Sequence, residues 1–185
     1  MSRAYRITVK ESLSRHVQVE DGVCSSLELL PILEKERMRE LLAAELVRRG
    51  FVREGTAATR KEGDGVTTQV NLDTGEVSVT AEGHGDLALQ TEHSAAVDYP
   101  TAEREQALRQ AARQAIEREA KAEEEMLRRT VTARLEGKLA DLKEELDGVV
   151  NRVTATALKQ RAAELGHIEE IHEEAGGGLT IKVRV

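Results

Sequence analysis

His84, Asp86, Glu92 and His93 put two imidazoles and two carboxylates within ten positions. That donor set suits a hard or borderline divalent metal, and a metal held there would make the chain a metal-dependent enzyme. Their setting supports a plainer reading: Gly83 and Gly85 flank His84, and no regular period joins the four, as in a polar surface loop. His167 and His172 resemble a metal motif less well. They stand five apart, whereas a helical His-Glu-x-x-His needs four, and alternate side chains of a strand face opposite ways. Cys24 has no histidine near it in sequence and reads as a small apolar residue rather than a nucleophile. Ser25, Ser26 and Ser94 sit in no nucleophile elbow. Gly63-Asp64-Gly65 and Gly83-His84-Gly85 lack the strand–loop–helix context of a phosphate cradle. No acid, base and substrate-binding group assemble, so the sequence points to a non-enzymatic protein with no cofactor.

The elements around these residues read as α+β. Tyr5, Ile7 and Val9 alternate with polar residues as in a half-buried strand, and Val17 and Val19 are expected in a second short strand after a turn near residues 12–15. Leu33, Met38, Leu41, Leu42, Leu46 and Val47 have helical spacing. The helix is expected over about 31–49, with Pro31 in its first turn and Gly50 ending it in the left-handed region. Val66, Thr68, Val70 and Leu72 alternate, Asp73-Thr74-Gly75-Glu76 turns the chain, and Val77, Val79 and Ala81 return as the second arm of a hairpin. Residues 83–100 are expected to be loop with at most one short strand. The C-terminus reads as a second hairpin: Ile168 to Glu173, a turn at Gly176-Gly177-Gly178, then Leu179, Ile181, Val183 and Val185. The two helix–hairpin units are expected to share one antiparallel sheet.

Between Thr101, a candidate N-cap, and Leu165 apolar residues recur every three or four positions with one gap at Glu123 to Glu125. This is the signature of a long helical arm. Gly137, Gly148 and the run Thr130-Val131-Thr132 favour a fold-back between 129 and 149, making a helical hairpin. The expected organisation is therefore a sheet platform of residues 1–100 plus 166–185, with a projecting arm of 101–165. Leu127, Val131, Leu135 and Leu139, near the fold-back, are the candidate partner-binding residues, and the same arm offers a route to homo-oligomers.

Composition narrows the partners. The arm carries 13 acidic and 13 basic residues, while the whole chain has a net charge of -7, so no surface of basic excess exists to track phosphates. A nucleic-acid-binding coiled coil along Arg128, Arg129 and Arg134 is the third reading, behind a protein-binding module and a metal enzyme. No apolar run approaches the ~20 residues of a membrane span. One cysteine permits no internal disulfide, and the N-terminus leads into a strand pattern rather than a signal peptide, which together fit the cytoplasm.

The terminal segment Ala162-Ala-Glu-Leu-Gly-His-Ile-Glu-Glu-Ile-His-Glu-Glu-Ala-Gly-Gly-Gly-Leu-Thr-Ile-Lys-Val-Arg-Val185 resembles the ending of a small family of cyanobacteria and plastids encoded beside AAA-type ATPases. Glu40-Leu-Leu-Ala-Ala-Glu-Leu-Val-Arg-Arg-Gly-Phe51, with the rest of the first hundred residues, is similar to accessory components of bacterial ternary systems built around an FtsH-like ATPase. The resemblance implies an accessory or adaptor protein that works with an ATPase, and it carries over no catalytic residue.

Overall fold

A computed structural model describes residues 5–173 and 178–184. The elements are β1 (Tyr5–Ser26), α1 (Lys35–Arg48), β2 (Val52–Glu54), β3 (Ala57–Lys61), β4 (Val66–Asn71), β5 (Glu76–Val97), α2 (Ala102–Leu165), β6 (His167–Glu173) and β7 (Leu179–Arg184). Five strands form one sheet in the order β1-β5-β4-β3-β2, and β6 and β7 form a separate antiparallel pair. The fold is α+β, but the C-terminal hairpin does not join the main sheet. Of the expected turn at Gly176-Gly177-Gly178, the first two glycines lie outside the described residues, as does Val185.

β1 is one strand of 22 residues where two short ones are expected. Residues 12–15 contain no Gly, Pro, Asn or Asp to make a turn, and the odd-numbered side chains keep facing inward through Leu13 to Val17 and Val19. β5 likewise runs 22 residues through the stretch expected to be loop. Its alternation is real: Leu87, Leu89, Thr91, Ala95 and Val97 are all half-buried while their neighbours are exposed. Gly83, Gly85 and His93 occupy inward positions of the same series and hide the period from a hydropathy reading. α1 starts at Lys35, leaving Pro31 ahead of the helix, and Gly50 follows it with φ of 85°. Between α1 and β4 the structure has two strands, turned at Gly55 with φ of 62°; β3 then pairs with β4 in the register Thr59↔Gln69. The hairpin β4–β5 turns at Gly75, φ 74°, as the sequence suggests.

α2 is a single helix of 64 residues without a fold-back. Thr101 caps it, its Oγ1 accepting from the Arg104 amide at 3.3 Å. Inward positions recur in steps of four, four and three, for instance Leu127, Val131, Leu135, Lys138, Leu142, Leu146 and Val149. This 11-residue period, 3.67 per turn, keeps one phase along the helix, and neither glycine interrupts it. Gly137 and Gly148 each cost about 1 kcal/mol relative to Ala, whereas each buried Val or Leu of the stripe contributes about 1.5–3 kcal/mol, so packing prevails over propensity.

By its contacts the chain groups into two compact units, and β1, β5 and α2 each contribute to both. The first comprises Met1–Asp21 and Glu82–Ala133. Its core is Val9, Val17 and Val19 of β1 against Ala112, Ile116, Ala120 and Val131 of α2. Ion pairs of Arg15 with Glu117 (3.2 Å) and of Glu11 with Arg113 (3.4 Å), and a Thr132–Asp21 hydrogen bond (2.6 Å), fix the helix over the strands. The second comprises Gly22–Ala81 and Arg134–Val185. There Leu42 and Leu46 of α1 and Leu135, Leu142, Leu146, Val149 and Val153 of α2 join the core with Phe51, Val66, Val70, Val77 and Val79.

At Gly83 helix and strand come closest: a Cβ there would lie 2.5 Å from Val131 Cγ2 and 3.2 Å from Leu127 Cδ1. Val131 is fully buried and β-branched, with little rotamer freedom to yield. Gly83→Ala is therefore expected to lower the unfolding free energy by about 1–3 kcal/mol in urea denaturation. Gly85→Ala, whose Cβ would meet its nearest neighbour at 3.6 Å, is expected to be near neutral in the same assay.

Candidate partner-binding site

In the second unit a set of charged contacts fixes α2 against α1 and β3. Arg60 donates from both terminal nitrogens to the two carboxylate oxygens of Glu145, each at 2.8 Å, and from one of them to the Arg49 carbonyl at 3.1 Å. Its guanidinium lies 4.6 Å from the Phe51 ring centroid. The bidentate bond holds the Glu145 carboxyl below the ordinary carboxylate range and raises the Arg60 guanidinium in turn. Arg49 donates to the Glu145 carbonyl at 3.1 Å, and its guanidinium nitrogen would lie 3.2 Å from a Cβ on Gly148. Gly148, a local cost to the helix, thus makes room for this contact. Glu45, buried on α1, is met by Arg49 at 3.2 Å, Arg48 at 3.6 Å and Arg152 at 3.8 Å. Lys138 reaches Glu62 at 2.8 Å and Asp64 at 3.8 Å, and these carboxylates raise its ammonium pKa, the Glu62 hydrogen bond most.

Beside this fixed segment lies a groove of about 770 Å³. Val77 and Val79 floor it, the end of β1 and Leu27 form one wall, and Leu139, Leu142, Leu146 and Val150 form the other. Glu28, Lys143, Asp147 and Asn151 supply its polar groups. Val23 is 40% exposed here, although Val77 and Val79 next to it are buried. The helix covers β5 and leaves the end of β1 open.

The four arm residues expected to bind a partner therefore separate. Val131 and Leu135 are fully buried in the chain's own core, and Leu127 packs on Gly83 and Gly85. Of the four, Leu139 lines the groove. Arg128 and Arg129 pair with Glu124 and Glu125 one turn earlier, and Arg134 donates to the Asp64 carbonyl at 2.6 Å.

The four metal candidates are spread along β5 rather than gathered by a loop. His84, Asp86 and Glu92 share its exposed face and His93 points to the other. At about 3.3 Å per residue, Asp86 and Glu92 stand roughly 20 Å apart. Asp86 bonds His16 Nδ1 at 2.7 Å, the His16 ring stacks on His84 with centroids 6.1 Å apart, and Glu92 pairs with Lys10 at 3.2 Å. Among the described residues no three His, Cys, Asp or Glu side chains converge to hold a metal ion. His167 and His172 depart from expectation in another way. An irregularity between Ile168 and Glu170 shifts the register, so that they pair with Arg184 and Thr180 and share a face. They still lie about 13 Å apart along the ribbon. Cys24 is exposed, not buried.

Compared with known protein families, the chain matches the FtsH ternary system domain X5 over residues 1–185. It belongs to that family. No curated protein matches the chain, and no solved structure matches it. Membership makes the chain a component of an FtsH-associated ternary system. Among the described residues no helix is long and apolar enough to cross a membrane.

Two outcomes test this geometry. Because the folded Glu145 carboxyl titrates below its ordinary value of 4.5, the Arg60 bond stabilises the protein above that value and is lost as pH falls through the lowered one. Glu145→Gln is expected to cost about 1–3 kcal/mol at neutral pH. Acid denaturation followed by circular dichroism should show the variant losing less stability than the parent below about pH 4.5. Chelator treatment followed by a zinc titration is expected to leave the melting temperature unchanged, and His84→Ala should behave as the parent does.

Proposed function

We propose that the chain is a non-enzymatic accessory protein of an FtsH-type ATPase system, and that it holds a protein partner through the groove face of α2 around Leu139 and Val150. The observation that carries this reading is the groove itself. It is a trough of mixed aliphatic and polar lining, bounded by a helix already anchored through Arg60, Arg49 and Lys138, so its wall is in place before anything binds. Family membership supplies the setting, an assembly of several components. The metal-enzyme alternative has no three converging His, Cys, Asp or Glu side chains among the described residues to support it. The balanced charge of α2 and the pairing of Arg128 and Arg129 with neighbouring glutamates favour protein over nucleic acid as the partner. The reading places the protein in the cytoplasm, in keeping with its single cysteine.

A benzophenone amino acid in place of Leu139 tests the reading in the native host. Irradiation is expected to give an adduct with another component of the FtsH-type system, and the unmodified chain should co-purify with it. Adducts from the exposed control position Gln114 but none from position 139 would remove the groove face from the contact. Failure of any such component to co-purify would remove the accessory role.

A further inference from the structure

We propose that the partner enters this groove as an extended strand, added to the free edge of β1 at Cys24 and Ser26 with aliphatic side chains seated against α2. The inference rests on the partner-binding reading above and specifies the form of the bound segment.

Three observations converge. First, β1 is an outer strand: β5 is its sheet neighbour on one side, and no described strand lies on the other. Second, the hydrogen-bond phase is fixed. The Leu27 amide donates to the Gly75 carbonyl at 2.8 Å, and amide directions alternate along an antiparallel ladder. Val23, Ser25 and Leu27 therefore direct their backbone groups to β5, while Cys24 and Ser26 direct theirs outward. Third, the groove lies along this same edge, on the face that takes the odd-numbered side chains. A strand paired with Cys24 and Ser26 would drop every second side chain between Val23 and Leu27 on one side and Leu139, Leu146 and Val150 on the other.

These features select the occupant. Unsatisfied backbone donors and acceptors at a sheet edge are met by another backbone in β conformation, not by a helix or an aromatic ring. The aliphatic residues of the lining call for Val, Ile or Leu at alternate positions, and Glu28 and Asp147, against the one cation Lys143, favour basic flanking residues over acidic ones. The ligand is a short extended peptide segment of another protein, with alternating aliphatic residues.

The probe is the acetylated, amidated peptide Lys-Val-Thr-Val-Thr-Val-Lys, added to the full chain and followed by amide hydrogen exchange in NMR. Expected are saturable binding and at least about tenfold slower exchange at Cys24 and Ser26, with Val23 and Ser25 unchanged. N-methylation of one alternate set of peptide amides should abolish binding and that of the other should be tolerated. The threonine set is the sensitive one for an antiparallel added strand, and the valine set for a parallel one. Val150→Asp is expected to weaken binding at least about tenfold while the protein remains folded, since this residue is only half-buried.

Absence of saturation at about 1 mM peptide, or equal effects of the two methylation sets, would overturn the proposal. So would concentration-dependent protection of Cys24 and Ser26 without peptide, which would mean that a second copy closes the edge. An adduct from position 139 without the exchange signature sinks the strand inference alone. The exchange signature without a co-purifying component supports the strand and sinks only the accessory role.

Discussion

A chain with one phenylalanine, two tyrosines and no tryptophan must gain its apolar burial by bringing backbones close together. In the first unit Ala112 and Ala120 of α2 are fully buried, and Gly83 of β5 leaves no space for even a methyl group. Closeness of this kind is unforgiving of register: sliding the helix by one residue would put a bulkier or charged side chain where alanine or glycine sits. The 11-residue phase of α2 is the sequence counterpart of that constraint. It keeps one narrow inward stripe in phase along the helix.

Once the stripe sets the register, the charges follow. Glu145 can meet Arg60 in a two-bond geometry, and Arg49 can lie against Gly148, because α2 is held close to the sheet. Part of the dense charge of this helix holds it to its own chain: Arg113 to Glu11, Glu117 to Arg15 and Lys138 to Glu62 are all internal pairs.

The sequence carried the elements better than it carried their extents. The strand of Tyr5, Ile7 and Val9, the helix ended by Gly50, the hairpin at Gly75 and the cap at Thr101 were legible because each rests on a local rule of turn, cap or alternation. β5 was not legible beyond Ala81. Its inward face is built from glycines, a histidine and small residues, chosen for the helix above them rather than for hydropathy. The unbroken α2 was hidden for the converse reason. Gly137 and Gly148 carry a local penalty that only tertiary packing outweighs, and such packing is not written in any short window. The partner-binding candidates suffered from the same blindness, since Val131 and Leu135 look like an exposed seam until β1 and β5 are known to lie beneath them. The end of β1 as part of a groove had no sequence signal at all, because an edge is a property of strand order.

Strand order also dictates when the protein can be completed. β2, β3, β4 and the start of β5 are joined by short turns and can pair as soon as they are made. Of the described strands β1 is made before the others, yet its neighbour is β5, some seventy residues later, and the helix that covers it follows β5. Contacts of such sequence separation close slowly, because the loop entropy must be met before any of them forms. During synthesis the N-terminal strand therefore waits unpaired while the meander takes shape beside it. A nascent chain of this topology leaves β1 open to strand-seeking neighbours until β5 has been made.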